Sequence, residues 1–168
     1  MAARELFEIR DRRRHSHDQD LLVVGGMGHA SQIALGIAIV RPDRCVVCLD
    51  GDGALLMHMG GMTHCARADN FVHLVINNGA HDSVGGMPTA ASSLDLSRIA
   101  LACGYRQTYR VEDAKLLDAV LAGIFERRGS TFVEMVCRPG HRADLGRPTI
   151  SPCMNKMHFM EAMQCATP

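Results

Sequence analysis

Two kinds of apolar run alternate along this chain. Short stretches rich in β-branched residues, at 21–24, 45–49 (CVVCL), 71–76 (FVHLVI), 106–111 and 131–137 (TFVEMVC), have strand character. Between them lie segments whose apolar residues recur at helical spacing. The first spans 31–40 and must end before Pro42. The second spans 54–67, with Leu55, Leu56, Met59, Met62 and Ala66 as its core stripe and with His58 and His64 off that stripe, at the surface. The third spans 94–103, capped by Ser93 and stopped by Gly104, and the fourth runs from Glu112 or Asp113 to Phe125. A helix over 1–14 precedes the first strand, and a short one near 156–163 follows a Pro-, Gly- and Arg-rich stretch. This alternation predicts an α/β fold: an open, mostly parallel sheet of about five or six strands with helices on both faces. The expected layout is an N-terminal helix and linker over 1–20, an α/β domain over 21–137, and a C-terminal extension over 138–168 packing on it.

The strand, turn, helix, strand unit from Cys45 to Asn78 holds the most informative chemistry. In a parallel sheet its two strands end on the same edge, so Asp52 and Asn78 should arrive side by side outside the strand ends, where ligands of α/β sheets bind. Asp52 offers a carboxylate, Asn78 an amide oxygen, and the turn after it a backbone carbonyl, a donor set suited to magnesium. Gly51 and Gly53 let backbone approach closely, and the helix opening at Ala54 directs unpaired N–H groups at an anion. A magnesium-bridged diphosphate is the expected ligand.

Two further loops lie on that strand-end edge. Gly25-Gly26-Met27-Gly28 joins the first strand to the first interior helix, and it also starts a G-x-G dinucleotide fingerprint, though Ser31 stands at the third glycine position. The stretch 79–92 (GAHDSVGGMPTAAS) has no periodicity but carries His81, Asp82 and Ser83, and loops of this length are often functional.

Composition narrows the picture without redirecting it. The chain has 168 residues, 47% hydrophobic and 21% charged, enough for one domain with a core. Its 18 basic and 18 acidic residues cancel, so bulk charge argues for neither a nucleic-acid nor a membrane-surface partner. With no apolar run of transmembrane length and no signal-like segment, a soluble cytoplasmic protein is expected. Seven cysteines without a secretory signal point to free thiols. Cys45 and Cys48 form C-x-x-C, but on a strand they face opposite ways, so they are expected as buried small hydrophobes of a central strand. His15 and His17 are expected in a solvated linker.

The combination of Gly51-Asp52-Gly53 with the later Asn77-Asn78, each at the end of an apolar strand, resembles the signature of thiamin-diphosphate enzymes. That resemblance implies that Asp52, Asn78 and the carbonyl of Ala80 bind Mg2+, with Gly51, Gly53 and Ala54 near the diphosphate. It implies that Gly26, Met27, Gly28 and His29 line the cofactor, with Met27 as the apolar wedge that bends it. The stretches NNGAHDSVGGMPT, Met27 to Gln32 and Arg138 to Pro148 are similar to the cofactor-binding half of phosphonopyruvate decarboxylase and to the sulfopyruvate decarboxylase beta subunit. Met87 departs from the Gln expected there. The implied activity is decarboxylation of a 2-keto acid, 3-phosphonopyruvate or 3-sulfopyruvate, to an aldehyde and CO2, with His81 and Ser83 as catalytic candidates facing substrate and His81 also near the cofactor. The glutamate that activates the cofactor's pyrimidine has no counterpart here: Glu112 fits a helix cap and Glu134 a core edge. A pyrimidine-domain partner subunit and a homo- or hetero-oligomer are therefore implied. The alternatives are a nucleotide-binding oxidoreductase module and a non-catalytic thiamin-diphosphate-binding protein.

Overall fold

The computed structural model of the protein describes residues 1–124 and 128–164. In chain order its elements are α1 (Ala2–Arg13), α2 (Ala30–Val40), β1 (Val46–Gly51), α3 (Asp52–Met57), α4 (Met62–Cys65), β2 (Phe71–Asn77), β3 (Ala80–His81), β4 (Met87–Pro88), α5 (Leu96–Ala102), β5 (Gln107–Val111), α6 (Ala114–Ile124), β6 (Thr131–Val136) and α7 (Pro152–Gln164). They divide into two compact units, Met27–Gly140 and a smaller one in which Met1–Gly26 joins the described residues from His141 onward.

In the larger unit β1, β2, β6 and β5 form, in that order, a sheet of four parallel strands, while β3 and β4 make a separate antiparallel ribbon. The pleat of β2 distributes its side chains to two cores, as period-two alternation requires. Phe71 and Val75 join Phe132, Tyr105 and Cys48 on one face, under Ala34 and Ala38 of α2, Leu55 of α3, Met62 and Cys65 of α4, and Leu96 and Ala100 of α5. Val72 and Leu74 point the other way, to Val111, Val133 and the apolar stripe Leu117, Val120, Leu121 and Ile124 of α6. Helices thus cover both faces, and each fully buried large apolar side chain contributes roughly 1.5–3 kcal/mol.

Several expected elements are displaced. Residues 21–24 are not a strand: the Leu22 N–H donates to Asn155 Oδ1 at 2.8 Å, while Asn155 Nδ2 donates to the Asp20 carbonyl at 2.8 Å. A side chain of α7 therefore satisfies the backbone that a sheet neighbour would have satisfied, and the parallel sheet has four described strands, not the five or six expected. The expected long helix 54–67 breaks into α3, a 3-10 turn over Met59–Gly61, and α4. At Gly61 the backbone approaches Gln32 of α2 so closely that a Cβ would collide with its side-chain amide. Asp95, not Ser93, caps α5, its carboxylate accepting the Arg98 N–H at 3.0 Å. The predicted end of the fourth helix at Phe125 lies outside the described residues, as does Cys165. β1 is an edge strand, and only Cys48 of the C-x-x-C pair is buried; Cys45 is exposed ahead of it.

The smaller unit is held by charge and amide contacts. Arg142 bonds Glu8 at 2.5 Å and Glu5 at 3.1 Å, and Glu8 also accepts the Gly146 N–H at 2.6 Å. The Arg142 guanidinium, then the Gly146 N–H, holds the Glu8 carboxyl below its ordinary value. A depressed carboxylate adds stability above its unfolded pKa, so this contribution is present at neutral pH and is lost on acidification. His17 is not in a solvated linker: its ring stacks on Phe7 with centroids 4.2 Å apart and meets Asp11 at 2.9 Å.

Glu134 supplies a stability test of the larger unit. It is fully buried on a central strand, not at a core edge, and accepts from Asn77 Nδ2 at 2.7 Å and from the Ser97 N–H at 3.2 Å. Glu134→Gln replaces one acceptor by an amide donor facing a donor. A loss of about 1–3 kcal/mol in urea unfolding is expected; unchanged stability would show that this network does not hold the end of β2.

Candidate functional site

The site begins where β1 and β2 stop. They pair in parallel with Gly51 opposite Ile76, so Asp52, the next residue after β1, lies alongside the Asn77-Asn78 end of β2. That juxtaposition is the one expected from sequence. The two asparagines then divide, as alternation along a strand requires. Asn77 turns inward, 5% exposed, with its amide committed to Glu134. Asn78 turns toward the loop: its Nδ2 donates to Asp82 Oδ2 at 2.6 Å, and its Oδ1 accepts the Ala80 N–H at 3.1 Å. Asp82 Oδ2 accepts the Gly140 N–H as well, at 3.0 Å. Gly79 turns the chain between them at φ +67°, a conformation that favours glycine.

Asp52 is 2% exposed, and its Oδ2 accepts the Thr89 hydroxyl at 2.5 Å. Thr89 in turn caps the following 3-10 turn by accepting the Ala91 N–H at 3.3 Å. The loop after β2 is thus pinned back onto the turn after β1. Ala80 pairs with Pro88, which has no N–H to offer its carbonyl. A buried carboxylate, an amide oxygen with a further lone pair and a strand-edge carbonyl form an all-oxygen donor set of the kind a hard cation takes, so the residues present fit magnesium.

His81 closes the turn from above. Its half-buried imidazole lies so close over Gly53 that a Cβ at 53 would collide with it. Gly28, at φ +86°, makes a second close approach: a Cβ there would stand 2.6 Å from His58 Cδ2, 3.0 Å from Met57 Cβ and 3.1 Å from the Ala54 carbonyl oxygen. The rings of His29, which precedes α2, and His58, which ends α3, lie 4.2 Å apart. The structure therefore brings Met27, Gly28 and His29 to the α3 end of the motif, and Gly51, Asp52, Gly53, Ala54, Asn78, Ala80 and His81 to its strand-end edge. Gly26 closes the smaller unit. Ser83 is exposed on the 3-10 turn Asp82–Val84 and has no hydrogen bond to those residues. With six residues α3 has a modest dipole, so individual N–H groups must carry any anion contact. On the loop after β2, Val84 and Met87 are exposed, whereas Ala91 is 1% exposed.

Sequence reasoning missed Thr89, the bonds of Asp82 to Asn78 and Gly140, and the inward role of Asn77 with Glu134. For Glu134 a signal existed: a carboxylate amid the apolar run TFVEMV is costly to bury without partners. The strand–turn–helix context that a dinucleotide fingerprint at Gly26 and Gly28 requires is missing, because 21–24 is not a strand.

Residues 1–135 match the family model described as thiamine pyrophosphate enzyme, C-terminal TPP binding domain. The chain belongs to this family. The TPP-binding domain is 43% identical over 161 residues to phosphonopyruvate decarboxylase of Streptomyces hygroscopicus, covering 95% of this chain and 39% of that protein. It is 33% identical over 165 residues to sulfopyruvate decarboxylase subunit beta of Methanocaldococcus jannaschii, covering 96% of this chain and 84% of that one. The fold is shared with the thiamine diphosphate-dependent 4-hydroxybenzoylformate decarboxylase of Rhodococcus jostii RHA1, with a TM-score of 0.59 at 22% identity over 70% of this chain and 24% of that chain. The chain spans about two fifths of the phosphonopyruvate decarboxylases it matches, 39% and 37% of their lengths. Among the described residues no helix is long and apolar enough to cross a membrane.

The contact of His81 with Gly53 is directly testable. Gly53→Ala forces the imidazole aside and should lower stability, whereas Gly53→Ala combined with His81→Ala should recover part of the loss. A double-mutant cycle by urea unfolding should give a coupling of about 0.5–3 kcal/mol; additive effects would mean that the ring does not rest on the turn.

Proposed function

We propose that this chain is the diphosphate-binding part of a thiamin-diphosphate-dependent 2-keto acid decarboxylase that acts on 3-phosphonopyruvate or 3-sulfopyruvate and releases an aldehyde and CO2. The observation that carries the proposal is the joint placement of Asp52 and Asn78 at the ends of adjacent parallel strands, with Gly53 held open under His81. The similarity to named decarboxylases supports the substrate class. Asp52, Asn78 and the Ala80 carbonyl hold Mg2+, and the N–H groups of Gly53 and Ala54 meet the diphosphate. Bound thiamin diphosphate supplies a thiazolium ring that accepts the electrons released as CO2 leaves. Thr89 orients the Asp52 carboxylate and Asp82 orients the Asn78 amide, as outer partners of metal ligands do. His81 presents its ring at the mouth of the turn, where it orients substrate and holds or moves a proton; Ser83, exposed on the same loop, donates a hydrogen bond to substrate. Met27 and His29 line the cofactor from the α2 end.

The glutamate that this chemistry requires at the pyrimidine ring comes from a partner. Glu134 is committed to Asn77 and Ser97, and Glu112 is exposed at the head of α6. The name "subunit beta" of the archaeal relative supports a two-component enzyme, and exposed Val84 and Met87 give the partner an apolar surface to cover.

Isothermal titration tests the metal and diphosphate assignment. The wild-type chain should bind thiamin diphosphate only with magnesium, Asp52→Ala should lose that binding while staying folded, and Thr89→Val should weaken it by about 10–100-fold. Near wild-type affinity in folded Asp52→Ala would defeat the assignment. A second expected outcome is that the cofactor-saturated chain alone turns over neither keto acid and gains turnover when the partner subunit is added. Robust turnover by the chain alone would remove the need for a partner.

A further inference from the structure

A second polar cluster lies inside the core, beneath the Asp52 turn, and takes no part in the function above. Cys48 and Asp50, two apart on β1, share a face, and His73 on β2 lies directly opposite Cys48 in the strand register. These three are 4%, 5% and 0% exposed. A sulfur, a carboxylate oxygen and a ring nitrogen from them lie within 4.8 Å of one another.

Their hydrogen bonding is incomplete in a specific way. Asp50 Oδ1 accepts the Gly51 N–H at 2.9 Å, but Oδ2 has no hydrogen-bond partner, and neither does His73 Nε2. Those two atoms face each other at 3.5 Å. The other ring nitrogen, Nδ1, meets the Tyr105 hydroxyl at 3.1 Å. In the tautomer that carries its hydrogen on Nδ1, the ring donates to the Tyr105 oxygen and Nε2 turns a lone pair toward the carboxylate oxygen. Two acceptors so placed repel unless a proton or a metal ion stands between them. The rings of Phe71 and Phe132, with centroids 5.8 and 5.4 Å from His73, wall this side of the cluster with hydrocarbon.

We propose that Cys48, Asp50 and His73 bind one zinc ion, a structural metal that ties β1 to β2 under the cofactor turn. A thiolate, a carboxylate and a neutral imidazole around Zn2+ sum to zero charge, the condition under which ionic groups tolerate burial. Thiolate and imidazole together select zinc over magnesium, and a carboxylate binding through both oxygens brings the donor atoms to four. Burial pushes the Cys48 thiol well above its ordinary value, and a coordinated metal ion reverses that by taking the thiolate directly. Tyr105 fixes the ring orientation as an outer partner.

The test uses the full chain, expressed with added zinc, dialysed against magnesium and thiamin diphosphate, and assayed for zinc. A second sample is unfolded, stripped and refolded with Co2+, because a site this buried fills during folding. One zinc per chain is expected, and for cobalt a thiolate charge-transfer band with the strong visible absorption of a four-coordinate ion. Both should survive Asp52→Ala and the double variant Cys45→Ala with Cys153→Ala, which removes the two thiols that are exposed among the described residues. Both should vanish in Cys48→Ala, and Tyr105→Phe should weaken metal binding by about 10–100-fold. If Cys48→Ala fails to fold, the wild-type stoichiometry and Tyr105→Phe decide. Folded wild-type chain without stoichiometric zinc overturns the proposal in favour of a plain imidazolium–carboxylate pair. Metal that follows Asp52, or a cobalt spectrum unchanged by Cys48→Ala, overturns it equally.

Discussion

When β1 and β2 pair in parallel with Gly51 opposite Ile76, residues far apart along the chain leave the sheet at one edge. Each strand ends in polar residues that cannot continue the pleat into hydrocarbon: Asp52 opens a helix, and Asn78 opens a loop through Gly79. The rest of the site depends on that shared exit. A slip by one residue would exchange the inward Asn77 for the outward Asn78 and turn Asn78 into the core.

The exit is held by polar groups buried at some cost. Asn77, Glu134 and the Ser97 N–H join β2, β6 and α5, while Asp52 and Thr89 join the turn after β1 to the loop after β2. Networks of this kind specify one arrangement because leaving a member unsatisfied in low dielectric is expensive. Beneath them Cys48, Asp50 and His73 bring β1 and β2 together again in the core, where the proposed zinc ion would join the same strand pair at a second level.

Much of this was legible because it is local. The strand character of β1, β2, β5 and β6, the glycine turn at 51–53 and the paired asparagines all lie within short windows, and the parallel pairing follows from a connecting helical segment. Other expectations failed where a distant contact outweighed local preference. Residues 21–24 have strand composition, yet Asn155 takes the Leu22 N–H; 54–67 has helical periodicity, yet it breaks at the 3-10 turn Met59–Gly61, where the backbone lies close to Gln32. Ser93 and Asp95 are both good caps, and only the packed helix start chose Asp95.

Sequence by itself thus determined the fold class and the residues that leave the sheet at the strand-end edge, since apolar periodicity and turn chemistry act over a few residues. Only the tertiary structure decided which groups hold those residues in place. Thr89 reaches Asp52 across 37 residues, Glu134 reaches Asn77 across 57, and Asp82 meets the Gly140 N–H across 58. No local pattern encodes such pairs; they exist because strand order and register bring otherwise unremarkable polar residues within hydrogen-bond reach in a space that excludes water.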